Sequence, residues 1–172
     1  MDQDHPREGS TASPVSTDDD PRRPQYFFAQ PWRGQALTCD AFGLPNGSAE
    51  LSYEPRELED GSTVIEHRAE FANGVTNAFQ WAVMPSQGDE IVARDRLSGL
   101  MAKGCLTDHG FRWSFMCLHK TALGVRRCRT EIEYIRRSPQ EAETVVTITF
   151  LGVTIGTAAG RLRQVLTEVR AA

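Results

Sequence analysis

The stretch HGFRWSFMCLH, residues 109–119, alternates bulky apolar with polar side chains and begins and ends in histidine. A β-strand sends successive side chains to opposite faces, so residue parity sorts them. The odd positions hold His109, Phe111, Trp113, Phe115, Cys117 and His119. The even positions hold Arg112, Ser114, Met116 and Leu118. A period of two with one apolar aromatic face predicts a strand with one dry side.

The same sorting works along the chain. In TVIEHRAEF, Ile65, His67, Ala69 and Phe71 share a face opposite Glu66, Arg68 and Glu70. In NAFQWAVMP, Phe79, Trp81 and Val83 stand opposite Gln80 and Ala82; in CRTEIEYIRR, Cys128, Ile132 and Tyr134 stand opposite Arg129, Glu131 and Glu133. ETVVTITF separates Val146, Ile148 and Phe150 from Val145, Thr147 and Thr149, a weaker contrast. Turn signals punctuate these runs every eight to twelve residues or so: Pro45–Gly47, Glu59–Gly61, Asn73–Gly74, Ser86–Asp89, Ser98–Gly99, Asp108–Gly110, Ala122–Gly124 and Ser138–Gln140.

About ten one-sided antiparallel strands need a second layer or closure on themselves, because a long open edge invites aggregation. An up-and-down β-barrel meets that demand and leaves an apolar interior able to hold a ligand. A sandwich is the alternative. The chain therefore reads as all-β, with a barrel domain over residues 26–172 and a disordered N-terminal tail over residues 1–25. That tail holds acids, Pro and Ser but almost no large apolar side chain. Tyr26, Phe27, Phe28 and Trp32 then form an aromatic plug suited to one end of the barrel, or equally to a homodimer contact. The closing segment VTIGTAAGRLRQVLTEVRAA reads as a strand that frays or turns into a short helix.

The hairpin around Ala122–Gly124 fixes a register. Odd residues face inward before the turn and even ones after it, so paired positions sum to an odd number such as 245. Cys117 then lies opposite Cys128, Trp113 opposite Ile132 and Phe111 opposite Tyr134. The aromatic pair adds roughly 0.2–1 kcal/mol to that register.

Composition narrows the function. The chain has 172 residues, 40% hydrophobic and 24% charged, with a net charge of -4. That balance argues against a nucleic-acid partner, which calls for a basic face. No apolar run is long enough for a membrane span. The first residues lack the charged start and apolar core of a secretory signal, which leads to the expectation of a cytoplasmic protein. Cys39, Cys105, Cys117 and Cys128 form no CxxC pair and are expected as free thiols, with no metal site among them.

YFFAQPWRGQALTCDAFG, followed by a meander with Asp60–Gly61 before its third strand, carries a resemblance. Phe27, Phe28, Gly34, Asp40, Phe42 and Gly43 fill an aromatic pair, a glycine and a D.FG element. In these features the chain resembles an uncharacterised bacterial lipocalin-like family of unknown function, over roughly residues 26–165. The resemblance implies a calycin-type barrel. It brings no catalytic residues.

The candidate ligand-binding residues are the inward ones: His67, Phe71, Phe79, Trp81, Asp95, Phe111, Trp113, Phe115 and Tyr134. His67 reads either as a core histidine bonded to a neighbour such as Tyr134 or Thr130, or as a residue that orients a ligand. His109 and His119 sit about 33 Å apart on a straight strand and cannot share a metal. Asp95 shares parity with Ile91, Ala93 and Leu97, which turns it inward toward an arginine; Asp40 caps a turn. Arg126, Arg127, Arg129, Arg136 and Arg137 read as a solvated charged stretch. The expected function is binding of a small hydrophobic molecule, a fatty acid or an isoprenoid, with no cofactor. Two alternatives remain open. One is a barrel isomerase or cyclase in which two of His67, Asp95 and Tyr134 meet in one cavity. The other is a haem-binding barrel that uses His67.

Overall fold

The computed structural model describes residues 20–59, 62–121 and 124–166. The expected tail therefore lies outside the described residues as far as residue 19. So do the turn residues Asp60–Gly61 and Ala122–Leu123, and any helix after residue 166.

Antiparallel strands close on themselves as a ten-stranded barrel. The first half comprises β1 (Trp32–Asp40), β2 (Pro45–Glu57), β3 (Thr63–Phe71), β4 (Thr76–Met84) and β5 (Glu90–Asp95). The second comprises β6 (Met101–Thr107), β7 (Gly110–Thr121), β8 (Gly124–Ser138), β9 (Glu141–Phe150) and β10 (Val153–Gln164). Each strand pairs with the next, and β10 returns to β1. The closing segment is thus strand as far as Gln164.

Parity holds: Phe111, Trp113 and Phe115 are buried inside, while Arg112 and Met116 face out. The register between β7 and β8 pairs Cys117 with Cys128, Trp113 with Ile132 and Phe111 with Tyr134. The barrel closes where β1 and β10 approach tightly. A side chain at Gly34 would place its Cβ 1.9 Å from the Arg161 carbonyl oxygen, so only glycine fits that seam. At the turn after β1, the Asp40 carboxylate accepts the N–H groups of Phe42 (2.8 Å) and Leu44 (3.0 Å). Gly43 supplies the positive φ of 77° that this turn requires.

One end of the barrel is stoppered. A short helix, α1 (Pro24–Phe27), drops Phe27 and Phe28 beneath Trp32, and all three are essentially inaccessible to solvent. Trp32 Nε1 donates to the Phe27 carbonyl at 3.1 Å. Arg136, which the sequence placed in a solvated stretch, bends over this plug instead. Its guanidinium lies 4.6 Å from the Phe27 ring centre and 5.7 Å from that of Trp32. It also donates to the Phe27 carbonyl at 3.1 Å. Arg136 continues the inward face of Cys128, Ile132 and Tyr134 and keeps their register, opposite Ala142; the β8–β9 pairing becomes irregular only beyond it. Residues 20–25, which the sequence assigned to the tail, dock on the barrel as well. Arg23 is only 5% exposed, with its guanidinium donating to the Gly88 carbonyl and to Ser86 Oγ.

The outer wall carries cross-strand ion pairs, among them Arg33–Glu54, Arg56–Glu66 and Arg137–Glu143. A lipid-facing barrel presents an apolar band there instead. No helix among the described residues is long and apolar enough to cross a membrane.

The wall also has a notch. The β5–β6 hairpin is short: β4 meets β5 only from Trp81 to Met84, and β7 meets β6 only from Gly110 to Ser114. Residues 76–80 of β4 and 115–121 of β7 thus run on past it. Phe79 and Phe115 meet across the gap, ring centres 5.5 Å apart.

Candidate functional site

Inward side chains grade from large to small along the barrel. At the plug end, Trp32 pairs with Tyr53, and Phe111 with Tyr134. Farther along the same strands the inward pairs shrink to Ala36 with Ala49, Ala36 with Gly160, and Thr38 with Ala158. Protein interiors pack to near-crystal density, so a run of small inward residues in a barrel of fixed girth leaves a void. The void is a cavity of about 650 Å³ in the half away from the plug. That volume lies within the range of small-molecule pockets.

Of the sequence-predicted residues, His67, Phe71, Phe79 and Phe115 line this cavity. Trp81, Phe111, Trp113 and Tyr134 do not; they fill the other half as one aromatic stack. Phe111 lies 4.7 Å from Tyr134 and Trp81 lies 5.3 Å from Trp113, centre to centre.

Asp95 is buried but is occupied elsewhere. Its carboxylate accepts the Gln80 N–H (2.7 Å), the Ser98 N–H (3.0 Å) and the Ser98 hydroxyl. It caps the turn after β5 rather than meeting an arginine or the cavity. Neither His67 nor Tyr134 is bonded to it, so no two of the three form an acid–base pair.

His67 forms part of the cavity floor, stacked on Tyr53 at 4.5 Å and tilted against Phe79 at 5.7 Å. Burial lowers its pKa to about 4, so the imidazole is neutral near pH 7. Its Nδ1 is buried without a hydrogen-bond partner, so neither Tyr134 nor Thr130 holds it. A metal-ligating histidine normally donates this second nitrogen's proton to a carboxylate or carbonyl. His67 therefore does not fit an axial haem ligand, and Nε2 is the nitrogen left to meet a ligand. Beside it, the Tyr134 and Thr144 hydroxyls gather at that of Tyr53 and perturb it, yet neither finds a partner with hydrogen-bond geometry. Burial raises the pKa of both phenols, so this floor is polar but uncharged.

Nearer the mouth lies a cluster the sequence did not single out as a site. Cys117 Sγ is 3.0 Å from His119 Nε2, which is 2.8 Å from Thr130 Oγ1; the thiol and that hydroxyl are 3.3 Å apart. Burial pushes the thiol pKa up and the imidazole pKa down, which keeps both neutral. The register, which pairs Cys117 with Cys128 and Phe115 with Thr130, makes Cys117 and Thr130 diagonal neighbours, and parity turned His119 inward. Reading His119 only against the distant His109 hid the local partnership. The other missed lining residues, Ala36, Ala49, Ala69 and Ala158, carried a legible signal: small side chains at inward parity. Among the described residues on the lining, Lys120 carries the only fixed charge, and it sits at the mouth.

No protein-family model matches the chain, and no curated protein does. Among solved structures it superposes on a protein of unknown function from the DUF3598 family of Nostoc punctiforme PCC 73102. The TM-score is 0.51 at 13% identity, over 79% of this chain and 47% of that one. This chain thus spans about half the length of that protein, and the likeness is one of fold.

Proposed function

We propose that the barrel is a cytosolic binding protein that holds a small hydrophobic molecule, such as a fatty acid or isoprenoid, in its open half. The observation that carries this reading is the cavity of about 650 Å³, floored by neutral polar groups and walled by small and aromatic side chains. Packing alone would have filled it, as it filled the plug half of the same strands. The lining chemistry orients the guest. Its chain lies inside, where an ion would be costly to desolvate, and an anionic or strongly polar end emerges beside Lys120. A hydroxyl or carbonyl on the buried part would meet His67 Nε2. No acid–base pair faces this space at the floor, which favours binding over turnover there.

Native mass spectrometry on protein purified without added ligand tests the reading. The expected result is extra mass that leaves on denaturation, or that appears after exposure to a lipid extract. A bare chain mass under both conditions overturns it.

A further inference from the structure

We infer that Cys117 is a nucleophile that captures α,β-unsaturated carbonyl compounds entering the cavity, with His119 as its base. The inference rests on the binding reading above, since the cavity delivers the electrophile. Two features of the mouth carry it. Cys117, His119 and Thr130 all line the cavity that would hold the guest's chain. The three are in mutual contact, with Nε2 of His119 3.0 Å from Cys117 Sγ and 2.8 Å from Thr130 Oγ1. This is a nucleophile in reach of a base; Thr130 meets the same Nε2, and with its hydroxyl turned to donate to Sγ, 3.3 Å away, it leaves the one Nε2 lone pair free to take the thiol proton.

The chemistry balances without an oxidant or a co-reactant. Sγ forms a bond to the β-carbon of the enal or enone as the thiol proton passes to His119 Nε2. The carbon–carbon π pair moves toward the carbonyl oxygen, giving an enolate. The imidazolium then returns the proton to the α-carbon, and a saturated thioether remains. A neutral thiol beside a neutral imidazole suits this order of events, because the proton leaves only as the bond forms. The site also explains the class of electrophile. An apolar alkyl chain follows the cavity wall, and the conjugated carbonyl end stays near the mouth, within reach of Sγ. Cys39 lines the same cavity outside the His119 cluster, so it serves as an internal control.

The test treats the full chain with trans-2-nonenal, follows adducts by intact mass and assigns them by peptide mapping. The expected result is one fast adduct at Cys117, formed at least about tenfold faster than at Cys39 or Cys105. Cys117→Ser should remove it, and His119→Gln should slow it by about 100-fold, the usual scale for loss of a general base. Thr130→Val provides a second, near-isosteric variant and should slow capture more mildly. Unchanged circular dichroism guards against misfolding. Nonan-2-one, which lacks the conjugated alkene, should bind reversibly and compete. Ketone binding with no preference for Cys117 overturns the thiol inference alone and leaves the binding reading intact. Capture that the ketone does not slow overturns the binding reading and this inference with it.

Discussion

His67 ties the proposed binding site to stability in one side chain. Its folded pKa of about 4 lies below the ordinary 6.5, because burial disfavours the cation. Between those values the unfolded chain binds a proton that the folded chain refuses. Stability is therefore full above pH 6.5 and falls as the pH drops toward 4, by about 3 kcal/mol across the window. His119, also lowered, adds in the same direction. His67→Phe keeps the stacking ring and removes the titration, so its urea midpoint should fall less than the wild type's between pH 7 and pH 5. Parallel losses in the two proteins would assign the acid sensitivity elsewhere. Gly34 makes a second, purely steric prediction. The added methyl of Gly34→Ala would have to displace the Arg161 carbonyl at the barrel seam. It should cost about 3 kcal/mol in denaturant unfolding, at the upper end of overpacking penalties.

At the scale of elements, the plug and the notch set what the barrel can admit. Arg136 ties α1 to the sheet through two aromatic faces and one carbonyl. Arg136→Ala should lower stability by about 2 kcal/mol, read as a drop in melting temperature, while leaving the cavity's affinity for an apolar probe unchanged. Phe79 and Phe115 bridge the notch above the short β5–β6 hairpin, so they guard the side of the cavity. Phe79→Ala should speed release of a bound probe by about tenfold in stopped-flow fluorescence; an unchanged release rate would show that guests use only the open end. The strands and the β7–β8 register were legible in the sequence because a period of two and a tight turn leave few pairings. Arg136 was legible by its even parity with Ile132 and Tyr134, but its charge and its place in an arginine-rich run were read as solvation instead. Asp95 was half legible. Its inward parity was correct, but its partners are N–H groups of its own turn, which short-range chain geometry provides and periodicity does not.

For the whole molecule, the decisive property is that one barrel is packed at one end and hollow at the other. The predicted lining divided along that line: His67, Phe71, Phe79 and Phe115 reached the cavity, while Trp81, Phe111, Trp113 and Tyr134 went to the stack. Parity assigns a residue to the interior but not to a height along the barrel axis. Height comes from the register of all ten strands together, and the sequence pinned that register at a single hairpin. The small residues Ala36, Ala49 and Ala69 marked the hollow end, legible only once β1, β2 and β3 are aligned. The most direct test of the hollow barrel is a fluorescence titration with the neutral apolar probe N-phenyl-1-naphthylamine, comparing wild type with Ala69→Phe, whose ring would occupy the cavity. Saturable one-to-one binding to the wild type, lost in a folded Ala69→Phe, is the outcome the account requires. Equal binding to both, or to neither, would contradict it.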